Sequence, residues 1–526
     1  MMGMRASALV ILGMLALIAA GRDAAAADKT LRVTPHADLK VLDPHTNTAT
    51  ITLMHGAMIY DTLFAWDSKI RPHPQMVGSF EISPDRLVHT YTLRPGLKFH
   101  DGQPVTSKDA VASIKRWMVR NTIGQVLAKF VDKIEATDDK SFTIRLKEPF
   151  AFVEFALGSP DADIMRAQDA ATDPFKAVTT TIGSGPFRFV RGEWNPGAKV
   201  VYEKNPDYVP RAEPADGLAG GKVVKLDRVE WIVLPDPFTK SGALQRGEVD
   251  MIDQLPQDQI PILEHAPGIV IEPVSPIDSY GIIRPNSLYP PFNNPKARQA
   301  LALMVDQREY SSAAFGDKHW WRPCWSFFVC DSSNGTEAGS ENYRHQDLAR
   351  AKALLAEAGY KGEKIVMLTT TEIPSISALG NVTADNLRKI GVNVDIAVSD
   401  WGTMLARRAK KDPPGQGGWN LFHTTVGGTT MFSPPANFTI NSSCDGKNWF
   451  GWPCDAKTEE LRMAYIHAAD EGEGADKAAL EALHRHLWET LPDIPIGQYT
   501  QPFAWRSNVT GVLRGPLLVF WNIDKS

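Results

Sequence analysis

Side chains able to do covalent chemistry are scattered through this chain rather than gathered. Several serines lie near glycines, but no G-x-S-x-G nucleophile elbow and no H-E-x-x-H helix occurs. His484 and His486 lie two apart on an expected helix, so at 3.6 residues per turn their side chains diverge by about 200°, which is wrong for a shared metal. Glu248 and Asp250 would share one face of a strand with no nucleophile or metal partner beside them; they read as surface or hinge-side polar residues. Gly183-Ser184-Gly185 invites comparison with a phosphate cradle, yet Pro186 and a strand follow it, whereas phosphate loops feed a helix whose first amides hold the anion. The expectation is a non-enzyme with no catalytic residues, no metal and no cofactor.

What does cluster is aromatic. His319-Trp320-Trp321, Trp325 to Phe328 and Trp449-Phe450-Gly451-Trp452 fall beside four cysteines that form two local pairs, Cys324 with Cys330 and Cys444 with Cys454. In an oxidising compartment two short-loop disulfides are expected; a four-thiolate zinc site competes, but neither pair has the two-to-four-residue spacing of a zinc knuckle. Rings fixed in this way would suit the flat walls of a small-molecule pocket, or would simply plug loops against the core.

The compartment is read from the first residues: one Arg, an apolar run from Ala8 to Ala20 and a small-residue stretch ending at Ala27, the layout of a secretory signal peptide cleaved near Ala27. A retained membrane anchor is disfavoured because the run is shorter than a bilayer span. No Cys stands near the cleavage site, so a soluble periplasmic protein is expected rather than a lipoprotein. A 526-residue chain exceeds what one hydrophobic core supports, so two lobes or more are expected, and a formal net charge of −5 gives no support for nucleic-acid binding or a basic membrane surface.

The elements that would position these groups alternate between strand and helix. Val88 to Leu93 has a strand's period of two, Leu97 to His100 reads as a short second strand, and Thr106 with Asp109 opens a helix to Met118. Strands are expected at Val131–Ala136, Ser141–Leu146, Val229–Leu234, Ile365–Thr370, Val392–Val398, Trp419–Thr424 and Asp493–Tyr499. Helices are expected at Phe238–Arg246, from Pro295, and at Gln346–Ala358, Ser377–Ile390, Ala456–Ala469 and Asp476–Leu491.

The stretch "R-P-G-L-K-F-H-D-G-x-P-V-T-x-K-D" from Arg94 to Asp109 resembles the signature of bacterial extracellular solute-binding proteins of family 5, the peptide/nickel-type receptors of ABC importers. "Y-D-T-L-F" at Tyr60, "G-S-G-P-F-R-F" at Gly183 and "G-E-V-D" at Gly247 agree with it. The resemblance implies an α/β, two-lobed periplasmic-binding-protein fold of type II, cluster C-like. Lobe I would be discontinuous, 28–277 and 500–526, with an extra subdomain at roughly 60–190; lobe II would span 278–499, with a ligand cleft between the two. It also implies a small-molecule ligand, ABC transporter permease subunits in the inner membrane as partners, and a monomer.

Carried over residue by residue, the resemblance places His45, Thr46 and Asn47 at the lip of the cleft, Tyr280 near the first interlobe crossing, and Trp401 and Arg408 facing the cleft. His423, Thr425, Gly427, Gly428, Thr429 and Tyr499 join Trp321 as further ligand contacts. In peptide-binding relatives the turn at Val426 to Thr429 carries an aspartate that holds the peptide's ammonium group; here it has Gly428 and Thr429. A buried ammonium without a carboxylate costs several kcal/mol, so the expected ligand is acceptor-rich, such as a carboxylated, acylated or sugar-like molecule, and not a free-amine peptide. A secreted hydrolase, a nickel or haem carrier of the same family, and a chaperone-like periplasmic protein are the alternatives.

Overall fold

The computed structural model describes residues 29–471 and 474–526; the expected signal segment, Met1 to Ala27, lies outside the described residues. Alternating apolar side chains build a first sheet of seven strands in the order Ile269–Pro273, Pro502–Arg506, Met251–Ile252, Thr30–Thr34, Arg228–Ile232, Lys199–Lys204, Phe187–Phe189. Thr30–Thr34 runs parallel to both of its neighbours, with Leu31 opposite Val229 and Val33 opposite Trp231, all four fully buried. A second sheet of six strands is ordered Trp321–Arg322, Ile494–Tyr499, Ser279–Pro285, Leu421–Val426, Ile365–Thr370, Val394–Ser399. Ile365–Thr370 is buried at every position, as a strand covered on both faces must be.

The chain leaves the first sheet after Pro273 and enters the second at Ser279; it returns between Tyr499 and Pro502. Two short connectors therefore join the lobes. A third, antiparallel sheet, Val77–Ile82, Val88–Leu93, Ser141–Leu146, Val131–Ala136, carries the helices Ser107–Arg120 and Thr122–Phe130 and projects from the first lobe. It reaches the second lobe through Phe152 stacked on Tyr465 (6.4 Å) and the pair Arg86–Asp470 (2.8 Å).

Most expected elements occur within one to three residues of their expected ends. The helix after Thr106 has its capping box: the Thr106 amide donates to Asp109 Oδ2 at 2.8 Å. Leu97–His100 is a correction. It forms no strand but one bridge, Lys98 to Pro104, because the turn at Asp101-Gly102, with Gly102 at φ 85°, folds the segment back so that Phe99 N bonds Gln103 O. The four cysteines are joined as Cys324–Cys330 and Cys444–Cys454.

Candidate functional site

A cavity lies between the two large sheets. Its floor is made by the two connectors, through Val274, Ser275, Ser279, Tyr499 and Gln501. One wall comes from the second lobe and begins with the helix Trp401–Arg408, whose N-cap Asp400 accepts from the Thr403 amide at 3.0 Å. Residues 401 and 408 are seven apart, two turns of helix, so both face the cavity. The same wall is continued by Thr424 to Thr430 at the end of the strand Leu421–Val426.

Arg408 is the dominant charge of that wall. It is 3% exposed, and its guanidinium lies within 4.7 Å of the Phe450 ring, 5.5 Å of Trp449 and 5.9 Å of Trp401. Its Nε is buried with no hydrogen-bond partner, and burial alone pushes its pKa down to about 9; no carboxylate stands close enough to oppose that. Charged at neutral pH yet unpaired, it is held by ring faces, which attract a cation without consuming its hydrogen-bonding capacity. The rings are themselves fixed: Cys444–Cys454 closes the loop that bears Trp449 and Phe450, and the buried Arg284 donates to Phe450 O at 2.6 Å while its guanidinium lies 4.8 Å from Trp449.

Of the expected contacts, Trp401, Arg408, Thr425, Gly427, Gly428, Thr429 and Tyr499 come together around this cavity. Tyr499 is stacked on Phe315 at 3.8 Å. Gly428 abuts the first connector: a Cβ there would overlap the Asp278 carbonyl and the Ile277 side chain. His45, Thr46 and Asn47 lie one step away, in a recess that shares Thr48, Asn121, Asp161, Phe438 and Trp449 with the main cavity. Thr46 Oγ1 donates to Asp43 O at 3.1 Å and Asn47 Nδ2 to Thr52 Oγ1 at 3.3 Å, within the same stretch of chain, while His45 Nε2 bonds Asp163 O of a distant segment at 3.1 Å.

Three expectations are corrected. His423 is fully buried beneath the helix Pro374–Lys389, with Nε2 on Thr383 Oγ1 at 2.7 Å, and burial lowers its pKa to about 3; it is a core residue, away from the cavity. Tyr280 is also fully buried, its hydroxyl lying 2.5 Å from Gln498 Oε1 and 2.9 Å from Phe328 O and accepting from the Cys330 amide at 3.0 Å, so it braces the Cys324–Cys330 loop. Trp321 sits in the edge strand, its Nε1 donating to Gly316 O at 2.9 Å, while its neighbour Trp320 lines a separate recess. The opposite wall was missed altogether. His36, Leu53, Asp161, Asp253, Phe503 and Leu518 come from six separate segments of the first lobe, and no local spacing announces such an assembly.

Among the described residues no group of three or more His, Cys, Asp or Glu could hold a metal ion, and no helix is long and apolar enough to cross a membrane. Two α/β lobes, two connectors and an intervening cavity with fixed rings and one unpaired cation define a ligand-binding protein of the two-lobed periplasmic type. The chain belongs to the bacterial extracellular solute-binding proteins, family 5, whose model matches residues 71–449. It is 40% identical over 506 residues (96% of this chain, 94% of the relative) to the probable peptide ABC transporter periplasmic-binding protein y4tO of Sinorhizobium fredii. It is 28% identical over 395 residues (73% and 71%) to the glutathione-binding protein GsiB of Pectobacterium atrosepticum. Among solved structures, the periplasmic binding protein AgaA of A. tumefaciens R10, in complex with agropinic acid, matches with TM-score 0.81 at 23% identity (94% of this chain, 99% of that one). DppA of Helicobacter pylori, in complex with the peptide STSA, matches with TM-score 0.78 at 22% identity (94% and 98%).

Proposed function

We propose that this chain is the periplasmic capture component of an ABC importer, acting as a monomer, which closes on a small organic solute bearing a carboxylate or similar anionic group and presents it to membrane permease subunits. The supporting observation is Arg408, a buried cation in a ring-lined cavity with no partner of its own. An anion arriving there finds a donor whose desolvation is already met by the fold, so its charge-assisted hydrogen bonds are gained with little reorganisation. Closure then follows from geometry. A ligand held by both walls contacts the second lobe only when the lobes meet, so binding favours the shut form. The names of relatives agree in kind, since peptides and an acid such as agropinic acid both carry acidic groups.

The test pairs ligand and charge. At a hundredfold excess over its dissociation constant, a matching organic acid should stabilise the protein by about 2.7 kcal/mol, read as a shift in Tm. Arg408→Met should abolish that shift for acids and spare it for their amides, while raising the Tm of the ligand-free protein because an unpaired buried charge is removed. Equal losses for acid and amide would defeat the anchor role.

A further inference from the structure

Facing the second-lobe wall is a carboxylate that the fold leaves half used. Asp253 follows the strand Met251–Ile252, is fully buried, and lines the cavity. Its Oδ2 accepts from the His36 amide at 3.3 Å and stands 2.5 Å from His36 Nδ1; its Oδ1 is buried with no partner. Lys240, a buried cation whose ammonium donates to Pro35 O at 3.1 Å, feels the Asp253 charge but makes no hydrogen bond to Oδ1. The other cavity carboxylate, Asp161, is engaged on both oxygens, by Trp117 and Ser159 on one and Asn121 on the other. Gln254, the next residue, holds a left-handed backbone at φ 54°, unfavourable for a residue with a Cβ and characteristic of places where a fold sets a side chain for use.

We infer that Asp253, oriented by His36, is the ligand's second polar anchor, taking a protonated amine through Oδ1 while Arg408 takes the anionic end. The solute is therefore a zwitterionic organic acid with its amine unblocked. This rests on the receptor reading above and reverses the expectation drawn from the Gly428 turn: the acid absent from the second lobe has a counterpart on the first. A buried acceptor with no donor is costly until a ligand supplies one, and a charge-assisted bond made there discriminates by about 10-fold to 100-fold.

The experiment uses the full mature chain and a panel of dipeptides and sugar–amino acid conjugates, each with a free amine and as its N-acetyl counterpart, with affinity measured by calorimetry. Free-amine forms should bind the wild-type protein at least tenfold more tightly than acetylated ones, a comparison that needs no variant. Asp253→Asn should erase that preference, leave acetylated forms within about threefold, and leave the ligand-free Tm unchanged or higher. Acetylated forms binding wild type as tightly as free amines, or a preference that survives in Asp253→Asn, overturns the anchor while the receptor reading stands. No binding by any probe of either form overturns both.

Discussion

At the residue scale, burial has opposite consequences for two groups that look alike in the sequence. Arg408 and His423 were both plausible ligand contacts; one is buried against rings that open on the cavity, the other beneath a helix. His423 is held neutral, its pKa lowered from 6.5 to about 3, and His55 likewise to about 3. The folded state thus binds fewer protons than the unfolded one below pH 6.5, so the stability these groups contribute is present above 6.5 and lost as pH falls toward 3. Asp493 acts in reverse: burial raises it to about 6, and its contribution is lost as pH rises from its ordinary value through 6. Replacing His423 by Gln should therefore flatten the slope of unfolding free energy between pH 6 and 4 by about 1.4 kcal/mol per pH unit, as measured by urea titration. An unchanged slope would mean that His423 is not kept neutral by the fold.

At the scale of elements, what could be read from the sequence was local and periodic. Ser141–Leu146 and Ile365–Thr370 were legible to the residue from their β-branched and apolar patterns, and Thr106 with Asp109 announced its helix. Leu97–His100 misled because a short apolar run before Asp-Gly suits a tight fold-back as well as a strand. In the site, Trp401 and Arg408 were legible only through the family resemblance of one continuous stretch, which the structure makes one helix, whereas Asp253 and His36 meet across 217 residues and carry no shared pattern. The aromatic loop between Cys444 and Cys454 lies between these cases, its composition evident and its orientation not. Because that link closes a loop of ten residues beside the Arg408 rings, the Cys444→Ser/Cys454→Ser variant should lose about 2–3 kcal/mol of stability, measured by denaturant titration, and bind the ligand more weakly. Cys324→Ser/Cys330→Ser should spare affinity, since that link lies outside the cavity lining.

At the scale of the whole molecule, the lobes touch at a point tied to the site. Lys40 of the first lobe pairs with Asp400 of the second at 2.6 Å, and Asp400 is the residue that caps the helix bearing Trp401 and Arg408. Hydrogen bonding to Asp400 raises the Lys40 pKa, and Lys40 in turn lowers that of Asp400. An exposed pair of this kind contributes at most about 1 kcal/mol, so Lys40→Met should weaken ligand binding by no more than about fivefold and enlarge the ligand-free radius of gyration in solution scattering. Asp400→Asn keeps a cap and should cost the same, with no further loss in the double variant; additive losses would mean the two residues act independently. The connector beside Gly428 has a different consequence. Because the Asp278 carbonyl and Ile277 fill the space where any side chain at 428 would begin, an acidic residue introduced there must displace the very segment on which the lobes swing. Retuning this scaffold toward another solute by point substitution is thus barred at that turn, and new specificity has to be written on the far bank of the cleft.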